Sequence, residues 1–154
     1  MKICVPTGIS GHLTEVLYLI EAFEGHDVFF IVTDGPRGRT LPYRTYVFPW
    51  EMASSWSVLK NMFHQLWALP RMFFVLWKER PDIIFSTGAE FALPFFFIGK
   101  LLGAQGIFVE SLTRVHMPSL SGRLVYPICK LFLVQQPELL SHYGRKASYE
   151  GSII

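Results

Sequence analysis

Short apolar runs alternate along this chain with stretches of helical period. Lys2–Thr7 (K-I-C-V-P-T) and residues 26–34, 82–86, 105–110 and 131–134 are continuous apolar or β-branched runs of strand length, and 44–50 is a further strand-like segment. Between the first two runs, Leu13, Val16, Leu17, Ile20 and Phe23 recur at the spacing of one helix face, and Gly25 closes that helix. Strands in regular alternation with helical segments predict an α/β fold, a doubly wound, mainly parallel, Rossmann-like sheet of about six strands. At 154 residues the chain is one domain, 1–154.

The junction between the first strand and the first helix reads T-G-I-S-G-H-L-T-E from Thr7 to Glu15. Gly8 and Gly11 remove side chains where the N–H groups of a helix start point outward with the positive end of the macrodipole, so an anion can approach closely. The spacing is G-x-x-G, with no third glycine and no Lys-Ser or Lys-Thr pair, so neither the dinucleotide fingerprint nor the P-loop is satisfied. A second glycine corner, Thr87-Gly88, follows the fourth strand. Glu110 arrives at the C-terminal end of the fifth strand, where ligands of open α/β sheets collect. The loop after it carries Arg114, His116, Ser119, Ser121 and Arg123, and two arginines with hydroxyls between them suit a phosphate or a sugar.

Residues 55–80 differ from the rest. On a helix, Trp56, Phe63, Trp67 and Phe74 fall within about 40° of one another, while Lys60, His64, Arg71 and Lys78 form a neighbouring line. Aromatics bordered by cations are the pattern of a helix lying in a membrane interface, although a helix packed between the sheet and a partner subunit has the same pattern. Pro70 is expected to kink or divide it. Residues 91–102 are apolar nearly all round, and no stretch supplies the roughly 20 uninterrupted apolar residues that span a bilayer, so attachment is expected to be peripheral. Residues 147–154 form an apolar tail suited to a partner.

Composition narrows the function. Charged residues are 17% and apolar ones 51%, a greasy surface or one meant to be covered, and the net charge of +2 with no basic run argues against nucleic acid. Cys4 and Cys129 lie in core-like contexts without partners at metal-ligand spacing, so no metal or other cofactor is expected and a reducing cytosol is implied.

Several separated stretches together resemble one family. Residues 8–15 (G-I-S-G-H-L-T-E), Thr87-Gly88, 109–114 (V-E-S-L-T-R), 118–123 (P-S-L-S-G-R) and 134–139 (V-Q-Q-P-E-L) are similar to the acceptor-side subunit of two-component UDP-sugar transferases. That family includes the membrane subunit of the enzyme adding the second N-acetylglucosamine to dolichyl diphosphate, with bacterial exopolysaccharide and capsule counterparts. The resemblance implies the N-terminal half of a GT-B glycosyltransferase, with the UDP-sugar site on a second, donor-binding polypeptide. The acceptor would be a sugar on a polyprenyl diphosphate at the cytoplasmic face of a membrane. The diphosphate and sugar would be held by Gly8, Ser10, Gly11, Thr87, Gly88, Arg114, Ser119 and Ser121. Lacking an N-terminal transmembrane helix, the chain would be a bacterial or archaeal version, attached through Trp56, Lys60, Phe63, Trp67, Arg71, Phe74 and Lys78.

Displacement of UDP by an acceptor hydroxyl requires a base. His12, an imidazole suited to proton abstraction near neutrality, and Glu110 are the candidates. Glu15 reads as a first-turn charge complementing the helix dipole. Two other readings stay open: a self-sufficient nucleotide or dinucleotide binder, with Asp34 at the end of the second strand meeting a ribose, and a noncatalytic scaffold that recruits a transferase to lipid.

Overall fold

The computed structural model describes residues 1–49 and 58–153, apart from the side chains of 58–66. Seven strands form a single parallel sheet: β1 Lys2–Thr7, β2 Asp27–Thr33, β3 Arg44–Phe48, β4 Ile83–Ser86, β5 Gln105–Val109, β6 Leu131–Val134 and β7 Ala147–Tyr149, in the order β3-β2-β1-β4-β5-β6-β7. The helices are α1 Gly11–Tyr18, α2 Pro36–Arg39, α3 Val58–Glu79, α4 Leu93–Leu101 and α5 Leu120–Val125. The expected doubly wound sheet is present, with one strand more than the sequence predicted. That strand, β7, lies in the segment expected to be an apolar tail; it pairs Phe132 with Ala147 through Val134 with Tyr149.

Two apolar layers sandwich the sheet because alternate strand residues face opposite ways. Cys4, Phe29, Ile31, Ile84, Phe108 and Phe132 point into the layer under α3, α4 and α5, with Met72, Val75, Leu76, Phe95 and Phe96 packed against them. Ile3, Val5, Phe30, Val32, Phe85 and Val109 point the other way, onto Leu13 and Val16 of α1. Both cysteines are buried and free.

Among the described side chains of α3, Met72, Val75, Leu76 and Glu79 are the buried positions, a stripe at helical spacing. Glu79 closes the stripe by accepting hydrogen bonds from Tyr46 Oη (2.5 Å) and Lys2 Nζ (3.2 Å) and pairing with Arg44 (3.2 Å). Burial pushes its carboxyl up, but those bonds and the two cations outweigh it and hold the pKa below the ordinary value. The helix runs through Pro70 instead of dividing there. Pro70 itself lies on the exposed side of the helix. Trp67, Phe73, Phe74 and Trp77 are left on the outer side, with Trp67 85% exposed. α3 packs against α4, which adds exposed Phe97 and Leu101, followed by exposed Leu102 just past its end. Lys78 is also exposed, whereas Arg71 turns back on the protein, donating to Val47 O (3.2 Å) with its guanidinium 4.6 Å from the Phe48 ring centre. The expectations for Trp56 and for the side chains of Lys60 and Phe63 lie outside the described residues. Among the described residues no helix is long and apolar enough to cross a membrane.

Candidate functional site

The strand order reverses direction at β1 and β4, so a crevice opens beyond their C-terminal ends. Both glycine corners lie there. A side chain at Gly8 would come within 3.8 Å of Ala89 Cβ, so the corners are neighbours. Ser86, the last residue of β4, stitches them together: its hydroxyl lies 2.9 Å from Pro6 O and 2.8 Å from Gly88 O. Thr87 Oγ1 donates to the backbone carbonyl of His12 (3.1 Å), tying the second corner to the first turn of α1.

Gly88 is required twice over. Its φ of 132° is one that side-chain-bearing residues avoid, and a Cβ there would sit 2.7 Å from His12 Cε1. The imidazole therefore lies on the backbone of the second corner, across the mouth of the crevice. At the first corner Ser10 is exposed and its hydroxyl makes no capping bond, and Gly11 opens onto space with nothing near its missing Cβ. The N-terminus of the eight-residue α1 can thus accept an anion between the two corners. Among the described residues no cluster of His, Cys, Asp and Glu could hold a metal ion.

His12 keeps 27% of its side-chain surface exposed, and its Nδ1 is buried with no hydrogen-bond partner. It faces Glu15, whose place near the start of α1 alone suggests only a charge complementing the dipole. Glu15 Oε2 lies 3.9 Å from Nδ1 and is likewise buried and unpaired, while Glu15 Oε1 accepts from Ser111 Oγ at 2.7 Å. Ser111 opens the loop after β5, and its hydroxyl is 3.1 Å from Thr113 Oγ1. The available signal was the i, i+3 spacing of His12 and Glu15, which places them side by side on a helix.

Glu110 does stand at the end of β5, but it is fully buried and its carboxylate is occupied. Oε1 accepts from Ser111 N (3.3 Å), and Oε2 accepts from Ser119 N (3.2 Å) and from the Tyr143 hydroxyl. Burial first, and then the bond to this carboxylate, push the Tyr143 phenol well above its ordinary pKa, so it remains a donor. Both oxygens of the expected base are thus engaged inside the protein and not presented to the crevice, and they tie the loop after β5 to Ser119 and Tyr143. Ser119 and Ser121, expected to meet a diphosphate or sugar, are drawn inward by the same network. Ser119 Oγ caps α5 by accepting from Gly122 N (2.8 Å), and Ser121 Oγ lies 3.2 Å from it. Arg114 remains exposed, on the loop that Ser111 anchors to α1. Asp34 Oδ1 pairs with Arg39 at 2.7 Å, an exposed ion pair beyond the end of β2.

Residues 48–153 match the family described as "Oligosaccharide biosynthesis protein Alg14 like". The chain is 27% identical to the human UDP-N-acetylglucosamine transferase subunit ALG14, over its full length and 83% of that relative. It is 32% identical, over 62% of its length and 26% of the relative's, to the UDP-N-acetylglucosamine–N-acetylmuramyl-(pentapeptide) pyrophosphoryl-undecaprenol N-acetylglucosamine transferase of Oceanobacillus iheyensis. Among solved structures, MurG of Acinetobacter baumannii superposes with a TM-score of 0.78 at 15% identity, covering 96% of this chain and 45% of that one, a likeness of fold. The chain thus spans less than half the length of that structure.

Proposed function

The chain belongs to the Alg14 family, and from that premise we propose that it is the acceptor-side subunit of a two-component glycosyltransferase. The enzyme transfers a sugar from a UDP-sugar to a saccharide carried on a polyprenyl diphosphate. A second polypeptide supplies the donor site. The observation that carries this reading is the meeting of the two glycine corners beside the His12 imidazole at the sheet's switch point. Gly8, Ser10, Gly11 and Thr87 cradle the acceptor diphosphate through backbone N–H groups, Gly88, whose own N–H donates to Ser86 Oγ (3.3 Å), keeps the second corner free of a side chain, and Arg114 approaches from its loop. His12 takes the proton of the acceptor hydroxyl as that oxygen displaces UDP with inversion at the anomeric carbon.

The exposed aromatic face of α3 and α4, with Lys78 beside it, supports peripheral seating on a membrane at its cytoplasmic face, where the acceptor resides. We place the donor-binding subunit against the C-terminal segment. There β7 is an edge strand, and Ile153 N is tied to Gln135 Oε1 at 3.1 Å. The products are lipid-linked oligosaccharides or exopolysaccharide precursors.

Isothermal titration of the isolated chain tests the division of labour. Vesicles carrying a prenyl-diphosphate sugar are expected to give saturable heat, whereas UDP-N-acetylglucosamine, NAD and FAD give none. Tight binding of any of the three nucleotides by this chain alone would replace the reading with that of a self-sufficient nucleotide binder.

A further inference from the structure

His12 Nδ1 and Glu15 Oε2 are the two side-chain polar atoms among the described residues that are buried without a hydrogen-bond partner, and they are 3.9 Å apart. Leaving a buried donor or acceptor unpaired costs about 1–3 kcal/mol, so such a pair is poised to close. Catalytic hydrogen bonds are often long before substrate arrives and tighten in the complex. The carboxylate is also held in place, because Ser111 Oγ donates to its other oxygen at 2.7 Å. We propose that Glu15 is the positioning residue for His12: its carboxylate accepts a hydrogen bond from Nδ1–H, fixes the ring in the Nδ1–H tautomer, and so leaves Nε2 as the proton acceptor.

This inference rests on the transferase reading given above and specifies its chemistry. Nδ1 is the buried nitrogen and the ring keeps 27% of its side-chain surface exposed, so in this assignment Nε2 is the nitrogen that serves the acceptor. In the reaction the O–H bond of the acceptor hydroxyl breaks and its proton passes to Nε2. The oxygen's electron pair forms the new bond to the anomeric carbon, and the bond from that carbon to the diphosphate breaks with its pair leaving on UDP. The imidazolium so formed is stabilised by the Glu15 carboxylate across the short gap, and Ser111 keeps that carboxylate from swinging away. A carboxylate that fixes the tautomer of a histidine base and stabilises its cation is a general device for activating a hydroxyl.

Glu15→Gln is nearly isosteric and retains an oxygen for Ser111, but its amide donates to Nδ1 and so forces the Nε2–H tautomer. In the two-subunit enzyme its kcat is expected to fall about 100-fold, with the acceptor KM changed less than about threefold. Nitrogen-15 NMR of the isolated chain is expected to show His12 as Nδ1–H in the wild type and Nε2–H in Glu15→Gln. Ser111→Ala should lose part of the rate and Ser111→Thr should restore it. A wild-type Nε2–H tautomer, or undiminished kcat in Glu15→Gln while His12→Ala is inactive, overturns the role of Glu15 alone. Full activity of His12→Ala instead removes the base on which the broader reading depends.

Discussion

His12→Ala is expected to lower turnover of the two-subunit enzyme by about 10²- to 10⁴-fold, the usual contribution of a positioned general base. Binding of the acceptor should change little, because the cradle is built from the backbone of the two glycine corners. The ring is not part of the core: it lies on Gly88 with 27% of its side chain exposed. Its removal therefore leaves the layers under α1 intact, and the melting temperature is expected to stay within a few degrees of the wild type. Steady-state kinetics at saturating acceptor, run beside a thermal melt, separates the two quantities. Loss of rate in step with loss of folded protein would indicate a structural histidine.

Glu110→Ala should behave in the opposite way. Three donors, the N–H groups of Ser111 and Ser119 and the Tyr143 hydroxyl, would lose their acceptor in a site without solvent, and a void would remain where the carboxylate stood. Each unsatisfied buried group costs about 1–3 kcal/mol and the losses overlap, so a destabilisation of roughly 3 kcal/mol is expected, with a fall in Tm of about 10 °C for a domain of this size. Urea unfolding followed by fluorescence gives the first number and calorimetry the second. At a temperature where the variant is folded, its kcat should remain within an order of magnitude of wild type. A stable protein with its turnover abolished would return Glu110 to the chemistry.

These two residues also show which features could be read from residue order. The strands were legible because parallel strands covered on both faces are continuous apolar runs, and β1, β2 and β4 to β6 lie within a residue or two of where those runs predict. β7 was not legible. Ala147, Ser148 and Tyr149 carry no apolar run, and only the open edge of β6 makes them a strand. The glycine corners were legible as backbone chemistry, since glycine between a strand and a helix has few other uses. Side-chain direction was not. The serines of residues 118–123 look like a solvated, ligand-ready loop, yet a buried carboxylate distant in sequence from Tyr143 pulls Ser119 inward and takes Ser121 with it. Glu15 was hidden for the reverse reason: a glutamate one turn into a helix is ordinary, and its approach to Ser111 across 96 positions exists only in the folded chain.

The aromatic line along α3 was partly legible. Helical periodicity placed Trp67 and Phe74 together, and both face outward. It also grouped Arg71 with the cations meant for lipid, but the Val47 carbonyl and the nearby Phe48 ring give that guanidinium partners within the protein. A hydrophobic stripe thus identifies a face more reliably than it identifies the destination of each long side chain on it.

The central claim is that this domain supplies the acceptor half of a catalytic unit whose donor half is another polypeptide. The most direct measurement is transfer of radiolabelled sugar from UDP-N-acetylglucosamine to a prenyl-diphosphate-linked acceptor in vesicles, with the chain alone, the donor-binding subunit alone, and the two mixed. The account predicts product only in the mixture, with both single-component reactions at background. Sustained transfer by this chain in the absence of a partner would contradict it.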